Sequence, residues 1–154
     1  MKIPERIKGC IKVEEAAVFI YRDFMKMFPD EKKFWEGLYK DEKNHAFFLT
    51  GADYLKVLTR LPPSMPLVKK TLTFANNIIG QIKLNPVLLK DALEMALKLE
   101  ESMVETYANE LIADLKAYED ESFFLDFEKI FMDEKAYISK IRDMMIKKNL
   151  LKLS

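Results

Sequence analysis

The sequence predicts an all-α protein, a four-helix bundle of two antiparallel hairpins joined by a long crossover. Three observations predict it. Only four glycines are present, the six prolines fall mostly where helices would start or stop, and apolar residues recur at alternating spacings of three and four over segments too long for strands. A chain of 154 residues that is 49% hydrophobic suits one domain, residues 1–154, whose core needs no disulfide.

Ile11 to Phe28 reads as the first helix, closed by Pro29, after which Asp30 caps a second helix from about Glu31 to about Thr59. The run Arg60-Leu61-Pro62-Pro63-Ser64-Met65-Pro66 interrupts the chain. Leu67 to about Lys83 is weakly amphipathic and reads as a shorter helix within the crossover. Asn85-Pro86 then supplies an N-cap and a first-turn proline for a third long helix, Pro86 to about Ala117, and Asp120 caps a fourth that runs to roughly Leu150. The first and last connections are a few residues long and make hairpins, whereas the middle one takes roughly 25 residues, far above the usual ~2–8 between neighbouring bundle helices. A helix of ~28 residues is ~40 Å long, so a crossover with its own helix suits a return along the bundle.

The chain also repeats itself. Asp41-Glu42-Lys43-Asn44-His45 returns as Asp133-Glu134-Lys135-Ala136-Tyr137, and each copy lies downstream of a Glu-Glu pair with a tyrosine seven residues beyond its first glutamate: Glu14-Glu15 with Tyr21, Glu100-Glu101 with Tyr107. Helical phase places Ile11, Glu14, Val18, Tyr21 and Met25 on one face, then Leu38, Glu42, His45 and Leu49, then Leu93, Ala96, Glu100, Met103, Tyr107 and Leu111, then Phe127, Ile130, Glu134, Tyr137 and Ile141. Each long helix thus carries one glutamate in an apolar stripe, while Glu15, Glu101 and Glu105 fall on solvated faces. Buried carboxylates without cations are so unfavourable that they take up protons, and four facing one another repel as well. Two divalent ions neutralise four carboxylates. Glu42 and His45, three residues apart, can reach the same ion, and oxygen-rich ligation with one imidazole suits iron or manganese. Tyr21 and Tyr107 are placed to donate hydrogen bonds that orient ligands.

On Glu14, the Glu42-x-x-His45 motif, Glu100 and Glu134, the chain resembles the ferritin-like superfamily, most closely its rubrerythrin-like di-iron carboxylate branch, from about Ile11 to Met145. The resemblance implies Glu14 and Glu100 as terminal metal ligands, Glu42 and Glu134 as bridging ligands and His45 as a nitrogen ligand to one of two irons. It implies an oxidoreductase that reacts with peroxide or dioxygen. Three departures mark this chain: Tyr137 stands where the second histidine is expected, Met103 where rubrerythrins carry a further glutamate, and no rubredoxin-like domain follows the fourth helix, so an external electron donor is needed. Tyr137 is expected to be a neutral phenol hydrogen-bonded to a bridging glutamate, because a pKa of ~10 opposes phenolate formation. The alternative is a bundle whose site has decayed to one ion or to a hydrogen-bond network, serving as a non-catalytic metal-binding or interaction module.

Composition excludes other classes. Lys plus Arg equals Asp plus Glu, 25 of each, so no basic field collects phosphates and nucleic acid is not an expected partner. No uncharged stretch long enough to cross a bilayer occurs, and Met1 to Cys10 lacks the apolar run of an export signal, so a cytoplasmic protein is expected, with no membrane partner. Cys10 is the only cysteine, which rules out an intrachain disulfide, a Cys-x-x-Cys zinc site or a rubredoxin-type iron centre built from this chain alone, and it reads as a buried or half-buried thiol. Phe47-Phe48, Met144-Met145 and the other Phe, Met and Ile residues exceed what one small interior needs, so a homodimer is expected.

Overall fold

The computed structural model describes residues 5–50, 65–106 and 121–150, and the side chains of these segments apart from those of 5–7, 121–128 and 130. Among the described residues there are five α-helices, one 3-10 turn and no strand: α1 (Glu5–Met27), the turn Pro29–Glu31, α2 (Lys32–Leu49), α3 (Met65–Leu84), α4 (Leu89–Thr106) and α5 (Glu121–Lys147). The predicted helix ends at Thr59 and Ala117, the Asp120 cap, and Tyr107 and Leu111 lie outside the described residues. None of the described helices is long and apolar enough to cross a membrane.

The breaks come where proline and helix-end chemistry dictate, with differences of detail. α1 starts at Glu5, six residues before the predicted Ile11. Gly9 lies within it and does not break it; a Cβ there would collide with Val68 Cγ1, so the glycine lets α1 and α3 approach closely. Asp30 does not cap α2. It lies inside the 3-10 turn that Pro29 opens, and the N-cap position belongs to Glu31, whose side chain forms an ion pair with Lys148 at 2.9 Å and makes no capping bond. Asn85 likewise closes α3, donating its N–H to Gln81 O at 3.1 Å, and α4 begins beyond Pro86, with Ala92 N–H bonded to Leu88 O at 3.0 Å. At the far end, Asn149 adopts φ 57°, Leu150 N–H bonds Met145 O at 2.8 Å and Asn149 N–H bonds Ile146 O at 3.0 Å, a left-handed cap that folds the partly buried Leu150 back on the core.

α1 packs on α2 and on α3; α4 packs on α5 and on α3. α3 therefore ties the α1–α2 pair to the α4–α5 pair. It is longer than the predicted Leu67–Lys83, and Val68, Thr71, Ala75, Ile78 and Ile82 form its buried stripe. Thr71 is held at 2.6 Å to Ser102 Oγ and 2.9 Å to Thr106 Oγ1, which fixes α3 against α4 by hydroxyls where two backbones run close. Because α1 is covered by two helices, its buried face is wider than a single stripe and takes in Cys10, Val13, Ala17, Ile20 and Phe24 beside Glu14 and Tyr21.

Candidate metal centre

Burial on one face of each helix brings the repeated residues together. Glu14 on α1, Glu42 on α2, Glu100 on α4 and Glu134 on α5 are all at 0% exposure, and His45 is at 5%. One ligand atom each from Glu14, Glu42, His45 and Glu134 can be chosen so that all lie within 4.8 Å of one another, close enough to share one ion. His45 Nδ1 is the atom turned inward, at 3.0 Å from Glu134 Oε1, 3.5 Å from Glu42 Oε2 and 4.0 Å from Glu14 Oε2. Its other nitrogen, Nε2, is held by Asp133 Oδ2 at 3.1 Å.

Glu100, on α4, is not one of those four but lies close enough to act on Glu42 and Glu134 by its charge. The Tyr21 hydroxyl donates to its Oε1 at 2.5 Å, so the tyrosine orients the glutamate of the opposite pair and not Glu14 of its own helix. Its other oxygen, Oε2, is buried without a hydrogen-bond partner, as are both oxygens of Glu42 and Oε2 of Glu134. Carboxylate oxygens are strong acceptors, and leaving several of them dry and facing one another is a cost that a folded chain does not carry without compensation. Protons or metal ions compensate here. Burial, reinforced by the charge of Glu100, holds the Glu42 carboxyl well above its usual range; burial and the charges of Glu100 and Glu42 do the same to Glu134. Glu100 is raised by burial too, while its contacts with Glu134 and Tyr21 act in the opposite direction. The Tyr21 phenol, buried beside Glu100, is pushed well above its normal value and stays protonated. The oxygen atoms and the one imidazole nitrogen therefore fit a hard or borderline divalent cation.

Tyr137 is placed beside these groups but binds elsewhere. Its hydroxyl donates to Asp41 Oδ2, not to Glu42 or Glu134 as the sequence led us to expect, and burial together with that bond raises its pKa. Asp41 and Asp133 were therefore the functional neighbours that the sequence reading left without a role. The available signal was their place in the repeat, four residues before His45 and Tyr137 respectively. A second unassigned residue is Trp35, which continues the α2 phase one step before Leu38. It is fully buried, stacks on Tyr21 at 6.1 Å between ring centroids, and meets Phe24 and Phe34 at 4.9 Å each. Through Trp35 this aromatic layer packs on the ring of Tyr21. Glu15, Glu101 and Glu105 are exposed, and Cys10, one turn from Glu14, is buried with its thiol pushed up to about 12 by burial and the Glu14 charge.

No family model, no curated protein and no solved structure matches the chain.

Proposed function

We propose that this chain is a two-metal carboxylate protein on a ferritin-like four-helix bundle, an oxidoreductase that reduces peroxide or dioxygen at its bundle-centre ions. The observation that carries this reading is the set of buried carboxylate oxygens of Glu42, Glu100 and Glu134 without hydrogen-bond partners, with Glu42 and Glu134 also turned to one inward-facing imidazole nitrogen. Glu14, Glu42, His45, Glu100 and Glu134 would hold the ions, the carboxylates supplying the balancing charge and His45 the one nitrogen donor. Two ferrous ions, or manganese in their place, would supply two electrons, enough to cleave the O–O bond of a peroxide or to take dioxygen to peroxide.

The remaining chemistry belongs to the chain. Asp133, at 3.1 Å from Nε2, would hold the His45 ring with its proton on that nitrogen, so that Nδ1 could exchange its 3.0 Å hydrogen bond with Glu134 for an ion. Tyr21 holds one oxygen of Glu100 and leaves the other free to ligate. Trp35 stacks on Tyr21 and is backed by Phe24, all three fully buried, so charges on that side act at low dielectric. Each turnover consumes two electrons, which an external donor must return. A second reading, a bundle with one ion or none serving as a binding module, draws on the engagement of Tyr137 with Asp41, which leaves the centre a single nitrogen ligand.

Metal content per chain after expression in iron-rich medium separates the readings, measured with the visible spectrum before and after peroxide. Wild type is expected to retain iron and to change its spectrum with peroxide, and Glu42→Gln combined with Glu134→Gln is expected to lose the metal. Iron content unaffected by that double substitution would place the metal elsewhere. Retained iron with no spectral response would leave the binding-module reading standing.

A further inference from the structure

The two repeats use matching positions in chemically different ways. His45 and Tyr137 each reach across to the aspartate of the other repeat, His45 Nε2 to Asp133 and the Tyr137 hydroxyl to Asp41. An imidazole has polar atoms on two sides of its ring, so binding Asp133 with one leaves the other facing Glu134, Glu42 and Glu14. A phenol has a single oxygen. While its proton is given to Asp41 it remains a neutral phenol, a poor ligand beside carboxylates, and the imidazole's second nitrogen has no counterpart on α5. The Glu100 side of the centre is thus left with carboxylates alone, and Tyr21 already engages one oxygen of Glu100.

We infer that the centre loads two divalent ions in order and with unequal strength. The first is held by Glu14, Glu42, His45 and Glu134, whose ligand atoms already converge. The second is held by Glu100 with the shared oxygens of Glu42 and Glu134, more weakly, because Tyr137 has no nitrogen to offer and its hydroxyl is engaged by Asp41. This inference rests on the metal-centre reading above. It adds a form of regulation: with scarce metal the chain carries one ion and cannot deliver two electrons together, and the second position, all oxygen, fills with a hard divalent cation such as Mn2+ only when supply rises.

Equilibrium dialysis of the full chain against Mn2+, followed by electron paramagnetic resonance, tests this without any turnover. Wild type is expected to bind one Mn2+ per chain with the spectrum of an isolated ion. A second should follow at free Mn2+ at least about tenfold higher, the isolated signal falling as the two ions couple. Tyr137→His should tighten the second step by about tenfold or more and leave the first in place, whereas Tyr137→Phe should leave both steps where they are. Glu100→Gln should remove the second step alone, which keeps the test decisive if circular dichroism shows that Tyr137→His does not fold. Two ions taken up in one step by wild type, or loss of the second ion in Tyr137→Phe, would overturn the inference while the metal centre stands. A folded wild type that binds no Mn2+ at all would overturn the metal centre and the inference with it.

Discussion

The centre of the bundle and the aromatic layer beside it are physically opposite: the four glutamates are fully buried carboxyl groups, whereas the layer has a buried heart of Tyr21, Phe24 and Trp35 and half-buried flanks in Phe28 and Phe34. Around Trp35, the rings of Tyr21, Phe24, Phe28 and Phe34 lie within 6.3 Å, and burying their apolar surface is favourable, offset only by the Trp35 Nε1–H, which has no hydrogen-bond partner. Around Glu42, burial opposes folding unless a proton or a cation arrives. The two regions share α1 and α2, with Tyr21 belonging to both: its ring lies in the apolar layer and its hydroxyl on Glu100. A stable layer thus stands against a costly one, an arrangement expected where the costly groups are kept for chemistry.

The sharpest way to break this contrast is at Trp35. Trp35→Ala is expected to cost about 3–5 kcal/mol in denaturant melts, by the same amount with and without bound metal. A penalty confined to the metal-loaded protein would show that the aromatic layer serves the centre and not the fold. In the centre the sign should reverse: Glu42→Leu with Glu134→Leu is expected to stabilise the metal-free chain by about 1–4 kcal/mol while abolishing metal binding. Destabilisation of the metal-free form would mean that the carboxyls make a favourable network of their own.

The pH dependence sharpens the same point. Glu42, Glu100 and Glu134 have folded pKa values above the ordinary carboxyl range, so the metal-free folded chain holds more protons than the unfolded one. Their contribution to stability is fully present below the unfolded value of about 4.3 and is lost as pH rises through the raised folded values. Metal displaces those protons and binds better as pH rises. The gap in Tm between metal-loaded and metal-free protein should therefore widen from about pH 5 to about pH 8, and a constant gap would contradict it. The smallest expected effect lies at the edge of the centre: Cys10, with its thiol raised to about 12, should resist alkylation in the native chain and react freely once unfolded. Equal rates in the two states would show that the Glu14 end of α1 opens readily.

Local pattern alone determined a great deal. Proline placement and the three-four spacing marked each helix, and the same phase put Glu14, Glu42, His45, Glu100 and Glu134 on buried faces, because which side of a helix a residue occupies depends only on its neighbours in sequence. Helix starts were less legible. Asp30 and Asn85 had capping chemistry, yet Pro29 opened a 3-10 turn and α4 began beyond Pro86, since a cap depends on how the chain enters the helix. Only the tertiary structure decided the partners of the inward side chains. That Tyr21 would bind Glu100 and not Glu14, and that His45 and Tyr137 would each take the other repeat's aspartate, 88 and 96 residues away, follows from how two helix pairs are set against each other across α3. A repeat in sequence specifies like positions; it does not specify like contacts, because an imidazole with two polar atoms and a phenol with one satisfy the same place in different ways.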